Sequence, residues 1–287
     1  MGSAFAHCNE LTSISLPDTI RYIGDDAFTG CSSLVSINIP SSLTEIRYNV
    51  FGNCKSLKAI SIPSTIKKIG SCAFYYCEGL ESIVIAEGVE VIGNYAFTGC
   101  KSLTSITIPD SVIEFGSAEN QEKEESKWFG GCEKLTSVKL GIGIKTMPEN
   151  AFVACKQLLN VEMLGIEIIG KYAFRDCILL NNITFSPNLK SIGNEAFGNC
   201  LALTTVQIPE GVEYIGKFAF LGCKNLERIS IPKSIKSIDQ WPFAYIDHEI
   251  IIEFSGTVSE WKAIDGFSNI QEIDITCIDG TYRWHHT

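Results

Sequence analysis

Cysteine recurs along the 287-residue chain at nearly constant intervals, and this period limits the fold more than any other feature of the sequence. The recurring cysteines are Cys8, Cys31, Cys54, Cys77, Cys100, Cys132, Cys155, Cys177, Cys200 and Cys223, and seven of the nine intervals between them are 23 residues. A fixed period of about 20 to 50 residues indicates a repeat architecture, in which each unit buries its apolar face only against its neighbours. The sequence therefore predicts a solenoid.

The residues between the cysteines repeat with the same period. Each unit reads C-x2-L-x2-I-x-I-P-x2-I-x2-I-G-x2-A-F-x2-C, with few exceptions from Phe5 to about Phe254. This pattern resembles the BspA-like family of leucine-rich repeats, and it covers nearly the whole chain. The repeated positions are apolar or small, so they specify the core and the fold rather than a function.

The I-x-I-P segment of each unit predicts a strand. In "LVSINIP", Ile37 and Ile39 alternate with Ser36 and Asn38, and Pro40 ends the strand because it has no N–H group. Equivalent strands should stack about 4.8 Å apart, and we expect the A-F-x2-C segment to form a short helical turn. The predicted fold class is an α/β solenoid, a leucine-rich repeat superhelix with a parallel concave β-sheet and short helical turns on the convex side.

Two further repeated positions are interpreted from their residue type. The phenylalanine before each cysteine is predicted to stack on its neighbours in a buried spine, because its regular recurrence is typical of a core position. The glycine four residues before that phenylalanine is predicted to take positive φ at a sharp turn. This glycine occurs at Gly24, Gly70, Gly93, Gly170, Gly193 and Gly216.

The chain is predicted to form one domain. Residues 1–246 contain about ten 23-residue repeats and an insertion at 117–126, and residues 247–287 contain a degenerate repeat and a C-terminal cap of the same domain. Within the cap, Thr257 and Glu260 have capping-box spacing and predict a short amphipathic helix, and a last strand is expected near Ile273–Cys277. Because the first repeat begins partway through the pattern, we expect the chain to be a fragment of a longer protein.

Twelve cysteines in one chain raise the alternatives of metal binding, disulfides and buried thiols. Structural zinc sites use closely spaced cysteine pairs, and intervals of 23 residues provide none. Stacked, parallel Cβ vectors are unfavourable for the disulfide dihedral of about 90°, and Ile246 in the cysteine position indicates an apolar slot. We therefore predict free, buried thiols, with the off-period Cys72 and Cys277 the more exposed ones.

The sequence does not favour an enzyme. "GIEIIGK" at 165–171 and "GVEYIGK" at 211–217 fit G-x4-G-K, but Tyr172 and Phe218 follow where a phosphate-binding loop needs Ser or Thr. The four histidines are not arranged with a nucleophile, and a net charge of −10 disfavours nucleic acid as a partner. We predict no catalytic residues, no metal and no cofactor. The chain shows no apolar stretch long enough for membrane insertion and no recognisable signal peptide.

The outward strand positions are the candidate binding surface, since a solenoid commonly binds its partners with the concave sheet. The N-terminal half of this surface contains mainly small hydroxyl side chains, whereas the C-terminal half is chemically varied. Lys139 and Glu162 occupy adjacent rungs and are expected to form an exposed ion pair. The predicted binding residues are Lys139, Glu162, Thr184, Thr205, Gln207 and Arg228.

The family resemblance implies a function that the residues alone do not specify. BspA-like proteins are typically microbial surface proteins implicated in adhesion, which implies a secreted or cell-surface recognition module that binds a protein of a host or neighbouring cell. Carbohydrate binding is the alternative. It would favour exposed aromatic side chains, which the outward positions lack.

Overall fold

The computed structural model describes residues 2–116, 128–267 and 273–284. The chain divides into two compact units, unit 1 (Met1–Ile144) and unit 2 (Lys145–Thr287). Each unit is a β-solenoid of parallel strands. Most repeats contribute one strand from the I-x-I segment, here called a front strand, and one from the I-x2-I segment, here called a second strand.

The described part of unit 1 contains ten strands. In chain order they are β1 (Ser13–Ile14), β2 (Ser36–Ile37), β3 (Glu45–Ile46), β4 (Ala59–Ile62), β5 (Lys68–Ile69), β6 (Ser82–Ile85), β7 (Val91–Ile92), β8 (Ser105–Thr107), β9 (Glu114–Phe115) and β10 (Ser137–Lys139). The even-numbered strands and β1 are front strands. The second strands β3, β5, β7 and β9 form one parallel sheet in that order.

Unit 2 continues the same alternation and adds a different C-terminal end. Its elements are β11 (Thr146–Met147), β12 (Asn160–Glu162), β13 (Ile168–Ile169), β14 (Asn182–Thr184), β15 (Ser191–Ile192), β16 (Thr205–Gln207), β17 (Tyr214–Ile215), β18 (Arg228–Ile231), β19 (Ser237–Ile238), β20 (Ile251–Phe254), α1 (Val258–Lys262), β21 (Ile273–Cys277) and β22 (Gly280–Trp284). The odd-numbered strands β11 to β19 form one sheet. Strand β21 pairs with β20 in parallel and with β22 antiparallel.

The predicted strand register is confirmed. Ser13 lies opposite Ser36, and Ala59 lies opposite Ser82, so residues one period apart stack on one another. The predicted phenylalanine spine is also present, with neighbouring ring centroids 5.2–5.9 Å apart within each unit. The core is therefore a continuous ladder of equivalent side chains in each unit, as the period requires.

The predicted short helical turns are wrong. Asn49 and Asn53, which flank Phe51, have φ values of 51° and 58°, so left-handed residues interrupt any helical path. The N–H group of Phe51 instead donates to the carbonyl of Ala73 in the next repeat (2.9 Å). These turns satisfy their backbone groups between repeats, and α1 is the only helix in the described part of the chain. The predicted capping box at Thr257 and Glu260 begins this helix.

The conformation predicted for the repeated glycines is also wrong. Neither Gly93 nor Gly193 takes positive φ. A Cβ atom on Gly93 would lie 2.3 Å from the backbone nitrogen of Ser71, and one on Gly193 would lie 2.8 Å from the carbonyl carbon of Gly170. Glycine is needed at this position because the backbone of the preceding repeat passes too close for a side chain.

Across the described ranges, no helix is long and apolar enough to cross a bilayer.

Candidate functional site

The structure places the predicted binding residues on front strands, with partly or fully exposed side chains. Lys139 ends β10 in unit 1, where it lies opposite Thr107. The other five belong to unit 2, on β12, β14, β16 and β18: Glu162, Thr184, Thr205, Gln207 and Arg228. The ion pair expected between Lys139 and Glu162 stays a prediction.

Within unit 2, strand pairing brings four of these residues together in two pairs. Glu162 lies opposite Thr184 across β12 and β14. Thr205 lies opposite Arg228 across β16 and β18, and Gln207 lies opposite Ser230 in the same pair of strands. Each strand pair thus holds its outward side chains at a fixed spacing. The first pair presents a carboxylate beside a hydroxyl, and the second presents a guanidinium, an amide and hydroxyls.

The Arg228 side chain has a partner that sequence reasoning missed. Its guanidinium contacts the carboxylate of Glu253 on the adjacent strand β20. The other oxygen of that carboxylate accepts a hydrogen bond from the hydroxyl of Ser230 (3.1 Å). Glu253 lies one period after Ser230, so the cysteine-based register could have found it, but the repeat pattern decays at β20. Arg228 is part of a small charged network rather than a lone cation.

A break in the front sheet of unit 2 opens a cavity beside these residues. Among the described strands, β14 is the last of one sheet and β16 is the first of the next, so the two are not paired. The cavity has a volume of about 590 Å³. Three predicted binding residues line it, Thr184, Thr205 and Gln207.

The local sequence explains why the strands separate here. Phe185 occupies the position that Ile208 and Ile231 occupy in the next two repeats, and its larger ring packs against Phe197 with centroids 6.0 Å apart. The following position holds Ser186 instead of the usual proline, and the Ser186 hydroxyl donates to the carbonyl of Leu164 (2.8 Å). β14 is therefore held to the preceding repeat, and the Phe185 ring packs against the spine residue Phe197 of its own repeat.

The cavity reaches apolar side chains that are buried elsewhere in the unit. Ile183 and Phe185 are half-buried, whereas their counterparts one repeat later, Val206 and Ile208, are only 2% and 4% exposed. Glu210, Ser230 and Ser255 contribute polar groups to the lining. The site therefore combines an apolar floor with hydroxyl, amide and carboxylate groups, and sequence reasoning missed its floor because Phe185 reads as an ordinary core position.

The cysteine ladder is structural, as predicted. Nine of its ten thiols are buried and all are free, and only Cys8 at the first repeat is exposed. The thiol of Cys200 donates to the carbonyl of Phe174 in the preceding repeat (3.2 Å), and seven other rungs repeat this bond. Burial raises the pKa of Cys54 and Cys223 to about 12. These thiols are therefore protonated hydrogen-bond donors and poor nucleophiles at neutral pH.

Two cysteines, Cys72 and Cys277, lie outside the ladder, and the exposure predicted for one of them is wrong. Cys72 is half-buried, but Cys277 is buried, so the prediction that it would be exposed is wrong. Cys277 is the last of three inward-facing residues on β21, in which buried and exposed positions alternate. In the part of the chain that the structure describes, no group of three or more His, Cys, Asp or Glu side chains could hold a metal.

The two segments that resemble nucleotide-binding loops belong to the solenoid. Their isoleucines Ile169 and Ile215 are fully buried on β13 and β17. The ammonium group of Lys217 lies 5.0 Å and 5.1 Å from the ring centroids of Phe218 and Trp241, where cation–π attraction stabilises it. A phosphate-binding loop is incompatible with this packing. The insertion at 117–126 lies outside the described residues.

Comparisons with known proteins agree with this architecture. The model of the BspA type leucine rich repeat region, which spans six repeat copies, matches residues 2–124, 117–187 and 159–274. Among curated protein sequences, none matches the chain significantly.

Solved structures of bacterial leucine-rich repeat proteins are similar to this chain. One from Bacteroides ovatus has 26% identity and a TM-score of 0.63, over 85% of this chain and 66% of that protein. One from Eubacterium ventriosum has 24% identity and a TM-score of 0.53, over 77% of this chain and 78% of that one. The chain thus spans just under two thirds of the Bacteroides protein's length. Since the family model covers more than half of the sequence, the chain belongs to the BspA-type leucine-rich repeat family.

Proposed function

We propose that this protein is a non-enzymatic recognition module that binds another protein through the exposed side chains of its front strands. The observation that carries the proposal is the register of unit 2, in which Thr205 lies opposite Arg228 and Gln207 opposite Ser230. Neighbouring strands in such a sheet lie about 4.8 Å apart. A partner would therefore meet charges, donors and acceptors at fixed spacings, which is the basis of electrostatic specificity.

The proposed binding residues are Lys139 on unit 1 and, on unit 2, the five residues named above. The front strands of unit 1 present mainly small hydroxyl side chains, such as Ser36, Ser82 and Ser105. Such a surface offers few features by which one partner could be distinguished from another. Membership of the BspA-type family supports an adhesive role at the cell surface or outside the cell, with a host or neighbouring-cell protein as the partner.

Carbohydrate binding is a second candidate, favoured by one feature that the sequence did not reveal. The half-buried ring of Phe185 lines a cavity whose other lining residues include Asn182, Thr184 and Gln207. A ring face beside hydroxyl and amide groups is an arrangement on which a sugar could stack and form hydrogen bonds. A screen should therefore include both proteins and glycans.

The test is a binding screen followed by charge-reversal variants. The purified chain is first screened against host matrix proteins and a glycan array. For a protein partner, Glu162→Lys and Arg228→Glu are expected to weaken binding tenfold or more, about 1.4 kcal/mol. Ser61→Lys, which adds a charge to an exposed front position of unit 1, is the matched control and should change the affinity little.

Melting temperatures separate binding effects from folding effects. Ser61 is exposed and Glu162 is partly exposed on front strands, so Ser61→Lys and Glu162→Lys should melt close to the unsubstituted protein. Arg228→Glu also replaces the ion pair with Glu253 by two like charges, so its melting temperature should be lower by an amount that corresponds to about 1 kcal/mol. Equal losses from Glu162→Lys and Ser61→Lys, or no loss from either reversal, would place recognition on another surface. Binding of a glycan, lost on Phe185→Ala and unaffected by the charge reversals, would establish the second candidate instead.

A further inference from the structure

We propose that the gap between β14 and β16 is a slot for an extended peptide segment, which would pair with the free strand edges on both sides and complete the front sheet of unit 2. The inference rests on the function proposed above, because it names the kind of partner that this surface would take. It adds a mode of recognition, through the backbone rather than through side chains. Peptides are known to add strands to exposed sheet edges in this way.

The first wall of the slot is the free edge of β14. In a parallel sheet, the backbone groups of successive residues point alternately towards the two neighbouring strands. The carbonyl of Thr184 accepts a hydrogen bond from the N–H group of Met163 (3.2 Å), so Thr184 faces the preceding repeat. The N–H and carbonyl groups of Ile183 must therefore face the gap.

The second wall is the free edge of β16. The N–H group of Ile208 donates to the carbonyl of Ser230 (3.0 Å), so Ile208 faces the following repeat. By the same alternation, the backbone groups of Thr205 and Gln207 face the gap. No hydrogen bond links the backbone groups of Ile183, Thr205 or Gln207 across the gap to any described residue.

Backbone groups without a partner along a strand edge are a template on which a further strand can pair. Thr205 and Gln207 are exposed and Ile183 is half-buried, so a ligand can reach these edge groups. The next two front strands of unit 2 do pair such groups between repeats, as the carbonyl of Thr204 does with the N–H groups of Glu227 and Arg228. The gap thus leaves two strand edges whose missing partner is another strand.

The floor of the slot distinguishes it from other interruptions of the front sheet. In unit 1, β6 and β8 are also unpaired, but Ile83 and Ile85 beside that break are each only 8% exposed. In unit 2, Ile183 and Phe185 are half-buried and line the cavity. A strand entering this slot would therefore bury apolar surface in addition to forming backbone hydrogen bonds.

The geometry specifies the ligand's length and pattern. β14 and β16 have three residues each, which corresponds to about 10 Å of extended chain. A segment of about three to five residues would fit, and about 590 Å³ is within the usual range of ligand cavities. Its inward side chains should be apolar to contact Phe185, and its outward side chains should be small and polar, beside Thr184 and Thr205.

Charge adds a preference at one end of the segment. Glu210 lines the cavity, and its carboxylate accepts a hydrogen bond from the hydroxyl of Ser255 (3.0 Å). The chain as a whole has a net charge of −10. Both features favour a peptide with a basic residue next to the apolar segment, because opposite charges accelerate association and select the partner.

A peptide fits this cavity better than a sugar does. Donors and acceptors alternate along both walls with the spacing of a strand, which another backbone reproduces and sugar hydroxyls do not. Phe185 is the single aromatic side chain among the described residues that line the cavity, and its ring is already in contact with Phe197. A sugar could therefore stack only on the Phe185 ring, which Phe197 already covers in part.

The test begins with the peptide. The complete chain is screened against an array of five- to seven-residue peptides with alternating apolar and polar residues, and the best binder is then methylated at one backbone nitrogen at a time. Backbone pairing predicts that methylation weakens binding tenfold or more at alternate residues in the strand segment and has little effect at the residues between them. Losses that follow side-chain identity without this alternation would overturn the proposal.

Two variants at one position test the same point on the protein. Thr205→Pro removes an N–H group that faces the slot and breaks no existing strand bond, whereas Thr205→Val keeps that N–H group and the branched shape but loses the hydroxyl. We expect at least a tenfold loss of peptide affinity with proline and a change within about twofold with valine. If the proline variant does not fold, as its melting temperature would show, the methylation series still decides.

The remaining outcomes separate this inference from the proposed function. Equal losses from both Thr205 variants would mean side-chain recognition, which overturns the slot and leaves the proposed function standing. Glycan binding without peptide binding overturns both. If no peptide binds, the slot is overturned, and the Glu162→Lys and Arg228→Glu measurements on an intact protein partner decide the proposed function independently.

Discussion

The buried cysteine ladder should make this protein unfold at moderately alkaline pH, before its lysines and most of its tyrosines lose protons. Nine thiols of the ladder are fully buried, and for seven of them burial raises the pKa well above its usual value: Cys54, Cys77, Cys100, Cys132, Cys177, Cys200 and Cys223. For three of them the pKa is about 12. In an unfolded chain a cysteine has a pKa of about 8.5.

The sign and size of the effect follow from proton linkage. Between pH of about 8.5 and 12 the folded protein holds more protons than the unfolded chain. The contribution of the thiols to the free energy of unfolding is therefore fully present below about pH 8.5 and decreases as the pH rises. Near pH 9.5 each thiol lowers the free energy of unfolding by about 1.4 kcal/mol, and seven lower it by roughly 10 kcal/mol. If the units unfold separately, the losses are roughly 6 kcal/mol for unit 1 and 4 kcal/mol for unit 2. The total free energy of unfolding of a typical domain is only about 5–15 kcal/mol, so losses of this size are enough to unfold the protein.

The measurement is a series of urea titrations followed by circular dichroism at pH of about 7, 8.5 and 9.5, with a phosphine reductant present. Cys200→Ala is the informative variant. At neutral pH it should destabilise the protein by about 1–2 kcal/mol, because contacts and a hydrogen bond are lost. Near pH 9.5 this loss of stability should almost vanish. The unsubstituted protein must keep the Cys200 thiol protonated in order to fold at that pH, whereas the variant has no such thiol. Val206→Ala, at a buried site without a titrating group, is the matched control.

Two results would refute the reasoning. If the free energy of unfolding were the same at neutral pH and near pH 9.5, the ladder thiols would not be protonated and buried in the folded state. If Cys200→Ala and Val206→Ala changed stability by pH-independent amounts, the alkaline loss would come from other groups. Tyr214, whose pKa burial and the Asp239 carboxylate raise to about 12, contributes in the same direction but only above about pH 10.

Two further predictions concern the ladder and the glycines between repeats. In the folded protein at neutral pH, an alkylating reagent should modify at most Cys8 and, more slowly, the half-buried Cys72. In denaturant without reductant it should modify about twelve cysteines, as counted by intact mass. A count near two in denaturant would show that the other cysteines form disulfides. Gly93→Ala should destabilise by about 2 kcal/mol or more, since its Cβ would lie 2.3 Å from the Ser71 nitrogen. Gly198→Ala, whose nearest contact would be 3.4 Å, should lose under about 1 kcal/mol in the same urea assay, and equal losses would contradict the close-approach explanation.

The strand register could be predicted from the sequence because a fixed period leaves little choice. Once parallel strands stack every 23 residues, Thr205 must lie opposite Arg228, and the structure places them so. Predicting the turns was harder. Asn49 and Asn53 tolerate left-handed backbone and could have indicated non-helical turns, but Phe218 and Trp241 occupy the equivalent position of Asn49 in other repeats with φ values of 58° and 57°. Stacking between repeats overrides the local preference of these residues.

The second sheet and the cavity were missed for different reasons. The I-x2-I spacing reads as helical, and two-residue strands such as Glu45–Ile46 are too short to show an alternating pattern. The cavity depends on Phe185, which satisfies the apolar pattern of the repeat while exceeding the volume of its neighbours. A periodic pattern records residue type at each position, whereas the separation of two strands depends on the fit between particular side chains.

The ladder also indicates why cysteine, rather than alanine or isoleucine, recurs in this slot. Eight phenylalanine carbonyls of the spine accept one bond from their own repeat and a second from the thiol of the next, as the Phe174 carbonyl does from Cys177 N–H (3.1 Å) and Cys200 Sγ (3.2 Å). Alanine would fill the slot poorly, and both alternatives lack the donor. Where Ile246 replaces cysteine, the Phe220 carbonyl retains only its bond from Cys223 among the described residues, and the repeat pattern ends there. The thiol therefore links consecutive repeats, which explains its regularity without any chemistry. In the function proposed above, recognition depends instead on positions that differ between repeats.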